Sequence, residues 1–184
     1  FNILEIKKSY KISNFFISLF FYIITTGILT QLGKHIIGRP RPNYTNFQDI
    51  FDFNFFTFDS NYHSFPSGHS STIFMVCFIL CVILPKLKYF FYFLASIIAF
   101  SRVVVGAHFF SDIVAGALLS LIVFKVLNSI VENKYKNYLF SKITFLNNST
   151  TYYLLIFLFT ISLFITVAPS LDLYLSSFFY EGGT

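Results

Sequence analysis

Long apolar runs separated by short polar connections dominate this chain. A run that is apolar on every side predicts a buried or membrane-spanning helix, and crossing a bilayer takes about 20 residues. The runs are Ile12–Gly33, Ser70–Leu84, Tyr89–Ser101, His108–Leu127 and Tyr152–Ala168. The third run is short and reaches a spanning length only if its helix continues past Arg102. The pattern predicts an all-α fold, a polytopic transmembrane helical bundle with five spans.

Residues that begin and end helices stand at the breaks between the runs. Lys34 closes the first run, and Gly38, Pro40 and Pro42 follow it, so the first helix should end there. Ser67 precedes the second run and suits the N-cap of a helix.

Composition supports a membrane protein. The 184 residues are 55% hydrophobic and only 11% charged, whereas soluble domains carry about 25% charge. The length fits a single membrane-embedded domain, residues 1–184, with the lipid bilayer as its surroundings. Cys77 and Cys81 lie within an apolar run and are interpreted as small apolar residues, not as a disulfide or a metal site.

The placement of positive charge orients the chain. A net charge of +5 could suggest a nucleic-acid partner, but five spans place the basic segments 1–11, 85–88 and 128–150, with Lys125 at a helix end, on one side, as the positive-inside rule requires. We therefore expect no nucleic-acid partner. Several basic residues and two histidines fall at the opposite, outer face: Lys34, Arg39, Arg41, Arg102, His69 and His108. These exceptions form the candidate site.

The stretch Ser101–Asp112 places an arginine, a histidine and an aspartate in apolar sequence. Ionisable residues near membrane depth are costly and indicate function. His108 and Asp112 are four residues apart, so a helix that contains both would put them on one face. A carboxylate beside an imidazole fixes the tautomer of the ring and stabilises its cation.

The cations predict an anionic ligand. Guanidinium groups match phosphate oxygens, lysine adds a point charge, and the amides of a helix that begins at Ser67 form an anion site. Two histidines, His69 and His108, allow the roles of nucleophile and acid to be divided.

Three motifs in this region resemble those of the type 2 phosphatidic acid phosphatase superfamily, in its membrane lipid phosphatase branch. K-x6-R-P matches Lys34 to Pro42, P-S-G-H matches residues 66–69, and S-R-x5-H-x3-D matches Ser101 to Asp112. The resemblance implies that His108 is the nucleophile that forms a phosphohistidine and that Asp112 holds its ring. It implies that His69 protonates the leaving oxygen and then activates water.

The same resemblance implies a phosphate-binding set of Lys34, Arg41, Ser67, Gly68 and Arg102. Arg39 is ambiguous, because it could assist phosphate binding or contact lipid headgroups. No cofactor and no metal are expected. A zinc site built from His63, His69 and His108 is the alternative that the residues leave open.

The substrate implied by the resemblance is a phosphorylated membrane lipid, met at the periplasmic face of a bacterial inner membrane. Lipid A is the first expectation, with phosphatidylglycerophosphate and undecaprenyl pyrophosphate as alternatives. A non-enzymatic protein that binds or transports lipid headgroups is the alternative of a different class.

Two features depart from the family pattern. The family has six membrane helices, and this chain shows five predicted spans. Leu171–Gly183 is similar to the segment that follows the first helix in bacterial members, so residues 151–184 resemble a family N-terminus placed last. We therefore expect a permuted or stitched order that lacks about one helix.

Overall fold

The structure is a computed structural model that describes residues 3–44, 52–134 and 174. Within these ranges the chain is all-helical and has no strand, which confirms the predicted class for this part. The helices are α1 (Ile3–Ile37), α2 (Gly68–Ile83), α3 (Lys88–Val104) and α4 (Phe110–Lys134), with short 3₁₀ helices at Ser60–Tyr62 and Pro85–Leu87. The fifth predicted span, Tyr152–Ala168, and the resemblance over 151–184 lie outside the described residues.

The end of α1 and the start of α2 confirm the sequence prediction. α1 ends at Ile37, immediately before Gly38, which adopts a φ of 56°. A Cβ at Gly38 would lie 1.6 Å from the carbonyl oxygen of Asn54, so only glycine fits this position. Ser67 caps α2, since its hydroxyl oxygen accepts a hydrogen bond from the amide of Ser70 at 3.4 Å.

The start of α4 corrects one prediction. The helix begins at Phe110, so His108 lies in the turn before it and does not share a helix face with Asp112. The reason is local, because the Asp112 carboxylate reaches back to accept a hydrogen bond from the amide of Phe109 at 2.8 Å. A first-turn acidic residue that accepts from the cap amide stabilises a helix start at that point.

α2 lies at the centre of the packed helices. One cluster joins it to α1 and α4 and consists of Tyr22, Met75, Phe78, Ile79, Val123 and Phe124. A second cluster joins α3 to α4 and consists of Ala99, Val103 and Ile113. Where the start of α2 meets α4, a Cβ on Gly116 would lie 2.6 Å from the Ser67 carbonyl oxygen. The absent side chain lets the start of α2 approach α4 closely.

Among the residues that the structure describes, two helical stretches are long and apolar enough to cross a membrane, Pro85–Val104 and Phe110–Ile130, with mean hydropathy of 1.5 and 2.1. α2 is apolar but shorter. Large apolar side chains on α1 and α3 are exposed, among them Phe20, Ile28, Leu32, Phe90 and Phe93. Such surfaces are typical of lipid contact, and together these features indicate a membrane protein.

Candidate active site

The predicted site residues come from helix ends that meet at one end of the bundle. Lys34 lies in the last turn of α1, and Arg102 lies in the last turn of α3. Gly68 and His69 begin α2, and Asp112 lies in the first turn of α4. The sequence places these residues up to 78 positions apart, and the antiparallel arrangement of the helices brings them to the same end.

A cleft of about 590 Å³ opens between α1 and α2, with Ile98 of α3 in its wall. Lys34, Gly68 and His69 line its polar end. The Lys34 ammonium lies close to the start of α2, since a Cβ on Gly68 would be 3.5 Å from Lys34 Nζ. A positive side chain and the N-terminus of a helix therefore face the same space, which favours an anion there.

Positive charge surrounds His69, whose side chain is exposed at this end of α2. Partial burial lowers the pKa of His69 below its ordinary value of 6.5, and the charges of Arg102, His108, Lys34 and Arg41 lower it further. Several residues of the three motifs thus lie close enough to change the pKa of the same imidazole. Burial also lowers the pKa of Lys34, Arg41 adds to that effect, and Asp112 opposes it.

The two arginines of the phosphate-binding set are held by main-chain contacts. Arg41 donates from Nε to the carbonyl of Ser60 at 3.0 Å, and its amide donates to Asn61 at 2.9 Å. The Arg102 carbonyl accepts from the amides of Ala107 at 3.1 Å and His108 at 3.3 Å. The second pair of bonds closes the turn that carries His108 back to the end of α3.

His108 is buried, with 2% of its surface exposed. Its Nδ1 lies 2.8 Å from the main-chain carbonyl oxygen of Ser64. A carbonyl only accepts hydrogen bonds, so Nδ1 carries the proton and Nε2 is the basic nitrogen of the neutral ring. This is the tautomer that a histidine needs in order to react through Nε2.

Asp112 lies beside the ring at ion-pair distance, without a direct hydrogen bond to it. Its Oδ2 lies 3.8 Å from His108 Nδ1, beyond hydrogen-bond distance. The same oxygen accepts a bond of 2.5 Å from the Ser64 hydroxyl, so Asp112 and His108 are joined through Ser64. Sequence reasoning missed Ser64, because its contact with the ring uses a main-chain carbonyl and every residue type has one.

Arg39 is fully buried, with 0% exposed, and pairs with Asp112 through a 2.5 Å contact between Nη1 and Oδ1. Nη1 also donates to the Ser111 hydroxyl at 2.8 Å, and the guanidinium lies 4.0 Å from the centre of the Phe109 ring. The protein encloses the guanidinium at this position, and contact of Arg39 with phosphate or lipid headgroups stays a prediction.

Ser67 is fully buried at the start of α2. Its hydroxyl caps α2, and its amide donates to the Asp112 carbonyl at 3.0 Å. The main-chain bond ties the start of α2 to the first turn of α4. Contact of the Ser67 hydroxyl with a phosphoryl oxygen stays a prediction.

His63, the first member of the alternative zinc site, faces away from the other two. Its ring packs against His35, with centroids 4.4 Å apart, and its Nε2 contacts the Thr57 carbonyl at 3.1 Å. Within the ranges that the structure describes, no three His, Cys, Asp or Glu side chains are grouped so that they could hold a metal ion.

Comparison with known proteins matches the region that carries these residues. A family model described as the PAP2 superfamily matches residues 15–136. A lipid A 1-phosphatase of Rhizobium johnstonii is 37% identical over 113 residues, which cover 58% of this chain and 46% of the relative. A lipid A 1-phosphatase of Rhizobium etli is 36% identical over 98 residues, 53% of this chain and 42% of the relative.

The chain therefore spans less than half the length of these curated relatives. No solved structure matches it.

Proposed function

The chain belongs to the PAP2 superfamily, and from that premise we propose that it is a lipid phosphatase, a phosphoric monoester hydrolase that acts through a phosphohistidine on His108. The proposal names the lipid A 1-phosphatase type first, because two relatives at 36–37% identity carry that name. The G-R-P-R-P form of the first motif and the intact P-S-G-H favour the same type.

The observation that carries the proposal is the hydrogen bond between His108 Nδ1 and the Ser64 carbonyl. With the proton held on Nδ1, Nε2 has a lone pair and can attack phosphorus. A residue that only bound an anion would gain from a charged ring with both nitrogens protonated. The arrangement suits a nucleophile better than a binding residue.

In the first step, Nε2 of His108 forms a bond to phosphorus while the bond from phosphorus to the lipid oxygen breaks. Protonated His69 gives its proton to that oxygen, and the lipid alcohol leaves. In the second step, neutral His69 takes a proton from water as the water attacks phosphorus and the P–N bond breaks. Phosphate leaves, His69 is protonated again, and His108 returns to its starting tautomer.

Lys34, Arg41 and Arg102 would bind the phosphoryl oxygens, with the Ser67 hydroxyl and the Gly68 amide. The charges of Lys34, Arg41 and Arg102 all lower the pKa of His69. This supports a cluster of positive charge around the exposed His69 side chain. Stabilising the oxygens of the transferring phosphoryl group is the main task of a phosphoryl-transfer site. The mechanism uses no metal and no cofactor.

The cleft supports a lipid substrate. From Lys34 and His69 it continues past Gly27, Ile73 and Val76, which lie about one to two helical turns nearer the middle of their helices. A phosphate bound at the polar end would leave the apolar part of the lipid beside these residues. The proposed location is a bacterial inner membrane with the site facing the periplasm, as the charge pattern of the loops predicts.

The test is phosphate release by purified protein from lipid A, phosphatidylglycerophosphate and undecaprenyl pyrophosphate. The proposal expects release from lipid A, loss of release in His108→Ala and His69→Ala, activity that persists in EDTA, and inhibition by vanadate. Release from only one of the other two lipids would move the assignment to that substrate. Loss of activity in EDTA would favour a metal site.

The competing function is a non-enzymatic lipid-headgroup carrier that uses the same basic cleft. Binding alone needs the cations but not a tautomer fixed on His108. A carrier would bind lipid phosphates at stoichiometric levels without releasing phosphate, and His108→Ala would bind them as the parent does.

A further inference from the structure

Arg39 is buried beside Asp112 and Ser64, two residues that lie next to the ring of His108. It is not among the residues that line the cleft, and its side chain is fully buried. Its guanidinium contacts the first turn of α4 and the residue before that helix: Asp112 at 2.5 Å, Ser111 at 2.8 Å and the Phe109 ring at 4.0 Å.

Arg39 and Asp112 stabilise each other, since a buried carboxylate without a partner is costly. The two carboxylate oxygens then have separate roles. Oδ1 accepts from Arg39, whereas Oδ2 accepts from the Ser64 hydroxyl at 2.5 Å and the Phe109 amide at 2.8 Å. The arginine thereby orients the carboxylate so that its second oxygen points toward Ser64.

Ser64 is held on both sides by the same pair. Its amide donates to the Arg39 carbonyl at 3.0 Å, and its hydroxyl donates to Asp112. Its carbonyl is the group that accepts from His108 Nδ1. The main chain of Arg39 therefore contacts Ser64 directly, and its side chain contacts Ser64 through Asp112, so both help to position the residue whose carbonyl accepts from the ring.

We propose that Arg39 is a positioning residue that acts through Asp112 and Ser64 to keep the proton of His108 on Nδ1. The inference rests on the proposed function for its catalytic consequence, but its structural part stands alone. It replaces the assignment of Arg39 as a secondary phosphate ligand.

The test compares Arg39→Met, which removes the charge, with Arg39→Lys, which keeps the charge but lacks the planar, fixed arrangement of donors of a guanidinium. Lys125→Met is the matched control, because it also removes a buried cation. Lys125 lies on α4, about 20 Å along the helix from Asp112. Four quantities are measured: the kcat for lipid phosphate, the KM for lipid phosphate, the Kd for inorganic phosphate, and the ring ¹⁵N shifts of His108. The His108 signals are identified by their absence in His108→Gln.

The expected result is a single Nδ1-protonated tautomer in the parent protein and in Lys125→Met, and a mixture of tautomers in Arg39→Met. kcat should fall by about a hundredfold in Arg39→Met, as for a misplaced catalytic group. It should fall less in Arg39→Lys, while KM and the Kd for inorganic phosphate stay within about twofold. If Arg39→Met does not fold, Arg39→Lys is judged by the same shifts and rates.

Weaker phosphate binding with kcat unchanged in either variant would make Arg39 a phosphate ligand and overturn the proposal. An unchanged tautomer with parental kcat would overturn it as well. If the parent released no phosphate from any lipid, the proposed function would fail, yet the ¹⁵N shifts would still decide whether Arg39 controls the His108 ring.

Discussion

The imidazole of His108 donates its Nδ1 proton to the main-chain carbonyl of Ser64 at 2.8 Å. In the familiar arrangement a carboxylate accepts this proton, but here Asp112 stands 3.8 Å from the same nitrogen. The carbonyl is a neutral acceptor, so it fixes the tautomer without a full negative charge in hydrogen-bond contact with the ring. The nearby carboxylate still favours the cation that forms when Nε2 bonds to phosphorus.

Replacing Ser64 with alanine tests the link between Asp112 and the carbonyl. Ser64→Ala keeps the carbonyl but removes the 2.5 Å bond from the hydroxyl to Asp112. We expect kcat to fall by about tenfold and the free energy of unfolding in detergent to fall by about 1–3 kcal/mol, because a buried acceptor loses a partner. Ser60→Ala, an exposed serine in the same loop, is the control and should match the parent in both measurements.

The pH profile of kcat/KM tests the acid role of His69. The proton donor must be protonated in the free enzyme, so activity is lost as pH rises through the pKa of His69. That pKa lies below 6.5 because of burial and the surrounding cations. The descending limb should therefore have its midpoint below pH 6.5. The descending limb of kcat should have its midpoint at a higher pH than that of kcat/KM, since phosphate bound in the enzyme–substrate complex offsets the charge of the cations.

Lys34→Gln removes one of the charges that lower this pKa. In this variant the midpoint of the kcat/KM limb should move to higher pH, even though the overall rate falls. A limb that starts above pH 6.5 in the parent, or that does not move in Lys34→Gln, would assign the acid role to another group.

Gly27 tests whether the cleft receives the apolar part of the substrate. It lines the cleft, and a Cβ built on it meets nothing within 4 Å. Gly27→Leu should therefore fold and fill the cleft. We expect KM for lipid phosphate to rise about tenfold, which corresponds to about 1.4 kcal/mol of lost binding, while turnover of water-soluble p-nitrophenyl phosphate stays unchanged.

Gly27→Ala is the control for backbone effects, because alanine in a helix interior adds up to about 1 kcal/mol of stability relative to glycine. It should leave both substrates close to the parent. If Gly27→Leu lost activity equally on the lipid and on the soluble substrate, the leucine would be disturbing the active site itself and not the binding of the lipid.

Gly116→Ala tests the close approach of α2 to α4. The new Cβ would lie 2.6 Å from the Ser67 carbonyl oxygen, and forcing them apart should cost about 1–3 kcal/mol of stability. Because Ser67 precedes Gly68 and His69, activity should fall on soluble and lipid substrates alike. Thermal unfolding in detergent, compared with Gly27→Ala, measures the first effect. A Gly116→Ala protein as stable as the parent would show that the helices can separate without strain.

How far the sequence predicts this site depends on which atoms make each contact. Ser67 as a helix cap and Gly38 after α1 were predictable, because side-chain chemistry and backbone freedom act locally. The Ser64 carbonyl was not, since the contact joins main chain to a ring 44 residues away. The burial of Arg39 was also beyond reach, because Arg39 and Arg41 both precede a proline and only the packing of α4 separates them.

The start of α4, just after His108, could have been predicted more closely. The apolar run His108–Leu127 indicates a helix but not its first residue, since periodicity is weakest at helix ends. Asp112 in the sequence H-F-F-S-D could have suggested the correct start, because an acidic residue at the third helical position often accepts from the cap amide. Phe109 is an unusual cap, and that obscured the signal.

The most direct test of a phosphohistidine mechanism is to trap the intermediate. Purified protein would be mixed for milliseconds with lipid A carrying ³²P at its 1-phosphate, quenched in alkali and digested, and the labelled peptide identified. The account predicts an acid-labile, alkali-stable label on the peptide that contains His108, formed before phosphate is released and absent in His108→Ala. Phosphate release with no such label, or unaltered turnover in His108→Ala, would contradict it.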